Sequence, residues 1–222
     1  MRANAPGDLP TYFCRRAPQE NDGLLLPAAW QLADYVDFKL VEGLPNQTPR
    51  MPTRFAALWT STHLHLLFQC ADTDIRATMT GRDDPLYEEE VVEAFLSPTG
   101  DVRRYYEFET NALEALFDAK VYSPDLNRST MVVDTDWDCM GMVVDVRQET
   151  VNEKLVGVRT EWAIPFAAFP EVSAMREGDV WRANFYRIER SEPAEFSAWS
   201  PTAESPANFH VPERFGYLEF VN

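Results

Sequence analysis

The stretch FAALWTSTHLHLLFQC, Phe55 to Cys70, holds two apolar runs separated by the polar triplet Thr60-Ser61-Thr62. Each run has strand length, and the break between them is short, so the stretch predicts a β-hairpin whose second arm, His63 to Cys70, is buried. Cys70 closes an apolar run and belongs to the core. Working outward, similar short runs recur between turn signals: Val91–Leu96, Tyr105–Thr110, Ala115–Val121, Met140–Gln148, Leu155–Trp162, Val180–Arg190, Phe196–Trp199 and Gly216–Val221. Their even spacing and their β-branched and aromatic content predict an all-β fold, an antiparallel β-sandwich of jelly-roll-like kind. Ile164-Pro165-Phe166 to Phe169 suits one helical turn.

Towards the N-terminus, Pro6 to Pro27 is rich in Pro, Gly and polar residues. Residues 1–27 are therefore expected to be an irregular segment. Trp30, Leu32, Tyr35 and Phe38 follow it and predict a stretch tucked against the body. No internal repeat is present, which argues against a solenoid or propeller. The whole chain, 1–222, reads as a single domain.

Composition narrows the function. Thirty-six acidic against 20 basic residues give a net charge of -16, which repels a phosphate backbone and predicts no nucleic-acid partner. It suits neutral or cationic ligands and hard cations such as calcium. No run approaches the roughly 18 apolar residues of a membrane helix, so no membrane partner is expected. The first residues carry no apolar segment of signal-peptide length, which reads as cytoplasmic, or as secreted with the signal removed. Cys14, Cys70 and Cys139 cannot all pair within one chain and form no Cys-x-x-Cys site. Nothing in the pattern fixes an oligomeric state.

The signatures of serine hydrolases, zinc proteases, phosphate loops and dinucleotide turns are absent, so an enzyme is not expected. His63 and His65 alternate on one strand face, where they can ligate a metal or, as the simpler expectation, face solvent. Glu93 and Glu109 lie within apolar strands and face either a site or the outer sheet surface. The segment Asp83-Asp84-Pro85-Leu86-Tyr87-Glu88-Glu89-Glu90 is an acidic loop with an aromatic near its tip. Such a loop either holds calcium through clustered oxygens or is a solvated turn. The Tyr87 ring can offer an apolar face to the C–H groups of a sugar.

Several patterns occur in a particular order. Leu86-Tyr87-Glu88-Glu89-Glu90-Val91-Val92-Glu93-Ala94-Phe95 precedes Tyr105-Tyr106-Glu107-Phe108-Glu109-Thr110-Asn111. Then come Glu161-Trp162-Ala163-Ile164-Pro165-Phe166, Asn184-Phe185-Tyr186-Arg187, Ala198-Trp199-Ser200-Pro201 and Phe209-His210-Val211-Pro212-Glu213-Arg214-Phe215-Gly216. In this order they resemble carbohydrate-binding module family nine, from about Trp30 to the C-terminus.

The resemblance implies a β-sandwich of the DOMON-like group and calcium ions that support loops without a required cofactor. It also implies a slot in which two aromatic rings sandwich the terminal, reducing-end residue of a mono- or oligosaccharide. Matching motif to motif places the rings at Tyr87 and Phe209, where the family usually has Trp, so the clamp is smaller and lacks indole N–H donors. Polar contacts carry over to Glu93 and Asn111. Glu109 stands where sugar binders have Arg, which reverses the local charge. Asp72 and Glu90 match calcium-binding regions, and Asn184 and Arg187 a bracing strand.

The expected function is non-catalytic sugar binding. The alternative is a degenerate module acting as a protein-interaction or structural domain. Two further readings stand beside these: haem ligation by His210 with Met79 or Met140, and a glycoside-active enzyme built on Glu93 with a second carboxylate.

Overall fold

The computed structural model describes residues 9–18, 23–43 and 47–222. In chain order its strands are β1 (Thr11–Arg16), β2 (Val36–Asp37), β3 (Lys39–Leu40), β4 (Thr53–Trp59), β5 (His63–Ala71), β6 (Val91–Ser97) and β7 (Arg104–Thr110). They continue as β8 (Leu116–Tyr122), β9 (Val132–Asp134), β10 (Val143–Val151), β11 (Lys154–Pro165), β12 (Val180–Glu189), β13 (Glu195–Ala198) and β14 (Gly216–Val221). The hairpin read from the sequence is β4–β5, paired from Thr53 with Cys70 to Trp59 with Leu64. The helical turn read after Ile164 is a 3-10 turn, Phe166–Ala168.

The sheet runs β10-β11-β5-β4-β1-β14-β12-β6-β7-β8-β9 and curls over on itself, giving the expected β-sandwich. Between the layers, Phe55 of β4 stacks on Phe185 of β12, with ring centroids 3.9 Å apart. Trp162, Phe68 and Phe108 complete this inner core. Burying one such ring stabilises the fold by about 1.5–3 kcal/mol.

The N-terminal segment, where described, is not wholly irregular, because Thr11–Arg16 forms β1; residues 1–8 and 19–22 lie outside the described residues. Tyr12 and Cys14 point into the core, and the Tyr12 hydroxyl accepts a hydrogen bond from the Ala57 N–H at 2.7 Å. The sheet is also mixed rather than wholly antiparallel. β1 pairs parallel with both β14 and β4, bridging the two layers.

The outer face of β4–β5 is covered by the 3-10 helix Pro27–Leu32, whose Trp30 packs on Leu58 and Leu67 and donates from Nε1 to Glu161 at 2.9 Å. Leu32, expected to tuck in, is exposed. His63 and His65, expected on a solvated face, are buried with their rings 5.8 Å apart. Burial of both faces of β5 is the reason.

The other layer is also buried on both faces, and this places the functional site. On β6, Val92, Ala94 and Leu96 face the inner core, while Val91 and Phe95 face a second apolar cluster with Tyr105, Phe117, Tyr186, Ile188 and Phe209. Strand periodicity puts Glu93, Glu107 and Glu109 on that second face.

Candidate functional site

Sheet register assembles the floor. Tyr186 of β12, Glu93 of β6, Glu109 of β7 and Phe117 of β8 lie in one cross-strand row. Phe95, Glu107 and Ala119 lie in the next. Loops rise around these rows and enclose a cleft of about 480 Å³, a volume in the range of small-ligand sites. Its walls carry Tyr87, Phe196 and Phe209, with Arg128, Arg190 and His210 among the polar lining.

Tyr87 sits on a 3-10 turn, Leu86–Glu88, anchored by the fully buried Leu86. Its own carbonyl accepts from Arg190 Nη2 at 2.7 Å. The neighbouring acids fasten the loop: Glu89 accepts from the Thr78 and Met79 N–H groups, and Asp84 from the Gly81 N–H. The acidic stretch is thus a set of backbone acceptors, and the Tyr87 ring is left 48% exposed at the mouth of the cleft. It meets Phe117 edge-on at 6.3 Å.

Phe209 forms another part of the wall in a different manner. It is only 8% exposed and stacks on Tyr186 with centroids 4.3 Å apart and an interplanar angle of 13°. The Tyr186 hydroxyl donates to the Phe209 carbonyl at 3.0 Å. One face of the Phe209 ring is therefore committed to the protein.

The three glutamates bring carboxylate oxygens within 4.8 Å of one another. Glu93 is 2% and Glu109 0% exposed, and Glu93 Oε1 and both oxygens of Glu109 have no hydrogen-bond partner. Burial pushes the Glu93 carboxyl well above the ordinary carboxylate range, and Glu107 adds to this. Burial, then Glu93 and Glu107, does the same to Glu109. Burial raises Glu107 to about 7. The cluster therefore favours its neutral, protonated form, in which a carboxyl both donates and accepts. His210, held down to about 3 by burial and then by Arg128, is neutral, and its Nδ1 lies 2.8 Å from the Tyr105 hydroxyl.

Tyr87, Phe209, Glu93 and Glu109 are thus brought together in one cleft. Asn111 is not. Its Oδ1 accepts from the Leu113 and Ala115 N–H groups, and its Nδ2 donates to the Met79 carbonyl at 2.8 Å. It ties the β7–β8 turn to the loop before Tyr87, and it lines a small separate gap with Asp72 and Glu90. Glu107, Phe117, Phe196, Arg128 and Arg190 were missed as site residues. Glu107 was within reach, since it shares a strand face with Glu109 two residues on.

Asp72 and Glu90, the expected calcium ligands, meet Glu189 within 4.8 Å. Oxygen donors suit calcium. All six carboxylate oxygens, however, already accept hydrogen bonds. Those of Glu90 take the Arg76 and Arg190 N–H groups, and those of Asp72 the Asp74 N–H and Arg187. Those of Glu189 take the Ser191 N–H and Arg187. The buried Arg187 guanidinium, bonded also to the Ala71 carbonyl at 2.8 Å, stands where a cation would. As arranged, these residues do not fit a calcium ion.

A β-sandwich with a loop-walled cleft over one sheet face, aromatic at its sides and polar at its floor, defines a ligand-binding module. The model of carbohydrate-binding family 9 matches residues 29–220, and the chain belongs to that family. A curated relative, an extracellular protein of Arthroderma benhamiae, is 27% identical over 190 residues, covering 80% of this chain and 82% of that one. A candidate carbohydrate-binding protein of Bacteroides uniformis superposes with a TM-score of 0.77 at 21% identity, covering 96% of this chain and all 100% of that one. A family 9 module of Caldicellulosiruptor kristjanssonii in complex with cellotriose gives 0.65 at 13% identity, covering 96% and 94%. The same organism's module with glucose gives 0.61 at 14%, covering 95% of each.

Proposed function

We propose that the chain is a non-catalytic module that binds the terminal, reducing-end residue of a mono- or oligosaccharide in the cleft between Tyr87 and Phe209. The observation that carries this reading is the half-exposed Tyr87 side chain lining the same cleft as buried carboxyl oxygens that have no partner. The ring supplies an apolar face for sugar C–H groups, and the carboxyls supply donors and acceptors for hydroxyls. Leaving such oxygens unsatisfied costs about 1–3 kcal/mol each, which a hydroxyl-bearing ligand recovers. Membership of the family, and neighbours bound to cellotriose and glucose, support the choice of a sugar.

A lack of catalysis agrees with the chemistry of the floor. Retaining and inverting glycosidases need one ionised carboxylate and one acid roughly 5–10 Å apart. Here three carboxyls crowd together with oxygens within 4.8 Å of one another, and burial raises all three, which matches neither pairing.

Thermal-shift screening with glucose, xylose, galactose, cellobiose and xylobiose, each beside its methyl glycoside, tests the reading. A ligand of the folded state raises the melting temperature by mass action. The expected result is a rise with one or more free sugars that shrinks when the reducing end is blocked. Equal rises for free and blocked sugars contradict the terminal slot, and no rise with any sugar contradicts the function.

A further inference from the structure

We propose that the ligand presents a protonated amine to the glutamate floor, so that the preferred ligand of this cleft is an amino sugar rather than a neutral one. The inference rests on the sugar-binding reading above and names the chemical class within it.

Three glutamates from two neighbouring strands converge on one point of the floor. Three of their oxygens, on residues more than nine-tenths buried and lining the cleft, have no well-formed hydrogen bond, although the Tyr87 N–H and the Glu107 carboxyl lie close to Glu109. The arginines of the lining do not supply one. Arg190 spends an Nη2 donor on the Tyr87 carbonyl and lies over the Phe196 ring at 5.4 Å; Arg128 donates to Asn208 at 3.2 Å. Neither forms an ion pair with the three glutamates, although Arg190 Nε itself lacks a partner. A sugar hydroxyl brings one proton to this floor. An ammonium group brings three N–H donors and a charge that favours loss of a proton from a buried carboxyl, so that a carboxylate forms beside it.

The form of the cleft argues for an organic cation over a bare metal ion. A volume of about 480 Å³ and walls of Tyr87, Phe117, Phe196 and Phe209 suit a ring with a charged substituent. A single ion leaves most of that volume and all of the aromatic surface unused.

The test is titration calorimetry near neutral pH on the whole chain with glucosamine, glucose, N-acetylglucosamine and, separately, calcium and manganese chloride. N-acetylglucosamine keeps the nitrogen and removes the charge. The expected result is that glucosamine binds about tenfold or more tighter than both other sugars, the gain of a charge-assisted hydrogen bond. Glu93→Gln and Glu109→Gln should each bring that ratio towards one. The three-sugar comparison on the unaltered protein decides the matter even where a variant does not fold. Glucose binding as tightly as glucosamine overturns the inference and leaves the sugar-binding reading standing. Heat from the metal salts without a preference for the amine overturns it as well, and silence with every sugar overturns both.

Discussion

Glu109 of β7 lies opposite Glu93 of β6, and three of their four carboxyl oxygens have no hydrogen-bond partner although both side chains are buried at the floor of the cleft. Such an arrangement costs stability in the free protein, and ligand binding can recover the cost.

The cost should depend on pH. Glu93, Glu107 and Glu109 bind protons more tightly folded than unfolded, because burial raises all three. Their contribution is therefore complete below the unfolded value of about 4.3 and is lost as pH rises through the folded values, about 7 for Glu107 and higher for the other two. Arg128, Arg190 and His210 line the cleft with them, and His210 stays neutral down to about 3. The melting temperature should fall between pH 5 and 8, and Glu109→Gln should flatten the fall. A rising or level profile in the unaltered protein contradicts the buried cluster.

The two aromatic walls should separate by mutation. Tyr87→Ala removes a half-exposed ring and should change stability by less than about 1 kcal/mol while weakening sugar binding about tenfold. Phe209→Ala removes a buried ring stacked on Tyr186 and should destabilise by about 3 kcal/mol, near the low end for a buried aromatic. Chemical denaturation of both variants, alongside sugar titration, checks the split. Equal stability losses would show that the rings play the same part.

Arg187 should behave as the internal cation of its carboxylate cluster. Arg187→Met leaves Asp72 and Glu189 buried without their partner and should destabilise by about 3–5 kcal/mol. Adding calcium, or removing it with a chelator, should leave the melting temperature unchanged. A calcium-dependent rise would show that a metal enters beside Arg187.

Gly216 tests how tightly the sandwich closes near β1. A Cβ there meets the Trp199 ring at 2.5 Å and the Pro10 carbonyl at 2.6 Å. Gly216→Ala should cost about 1–3 kcal/mol, read from denaturant midpoints at constant slope. A neutral effect would mean that β1 and Trp199 yield freely.

How much of this the sequence carried follows from burial and separation along the chain. The β4–β5 hairpin was legible because its partners are sequence neighbours and its turn is polar. β1 was not. Only Tyr12 and Cys14 point inward in a short strand set between prolines, and its partners Tyr217 and Leu58 are parallel and far along the chain. His63 and His65 were misjudged because alternation reports a solvent face only when one face is wet, and β5 is buried on both.

For the site, Glu93 and Glu109 stood out as acids inside apolar strands, but β6 is buried on both faces, so period alone did not say which way they point. Register with Tyr186 and Phe117 decides it. Asn111 was misplaced because it stands at the end of β7, where its side chain caps the following turn instead of continuing the strand face. Arg128, on the 3-10 turn Arg128–Thr130, and Arg190, just after β12, lie far apart in the chain, and only tertiary folding brings them to the same cleft.

The central claim, sugar binding in the cleft beneath Tyr87, is tested most directly by titration calorimetry with a panel of free sugars, cellotriose and glucosamine included, against the unaltered protein and Tyr87→Ala. The account predicts saturable one-site binding of at least one of them, weakened about tenfold in the variant with little change in melting temperature. Binding of equal strength in both proteins would place the sugar elsewhere. No binding in either would contradict the function itself.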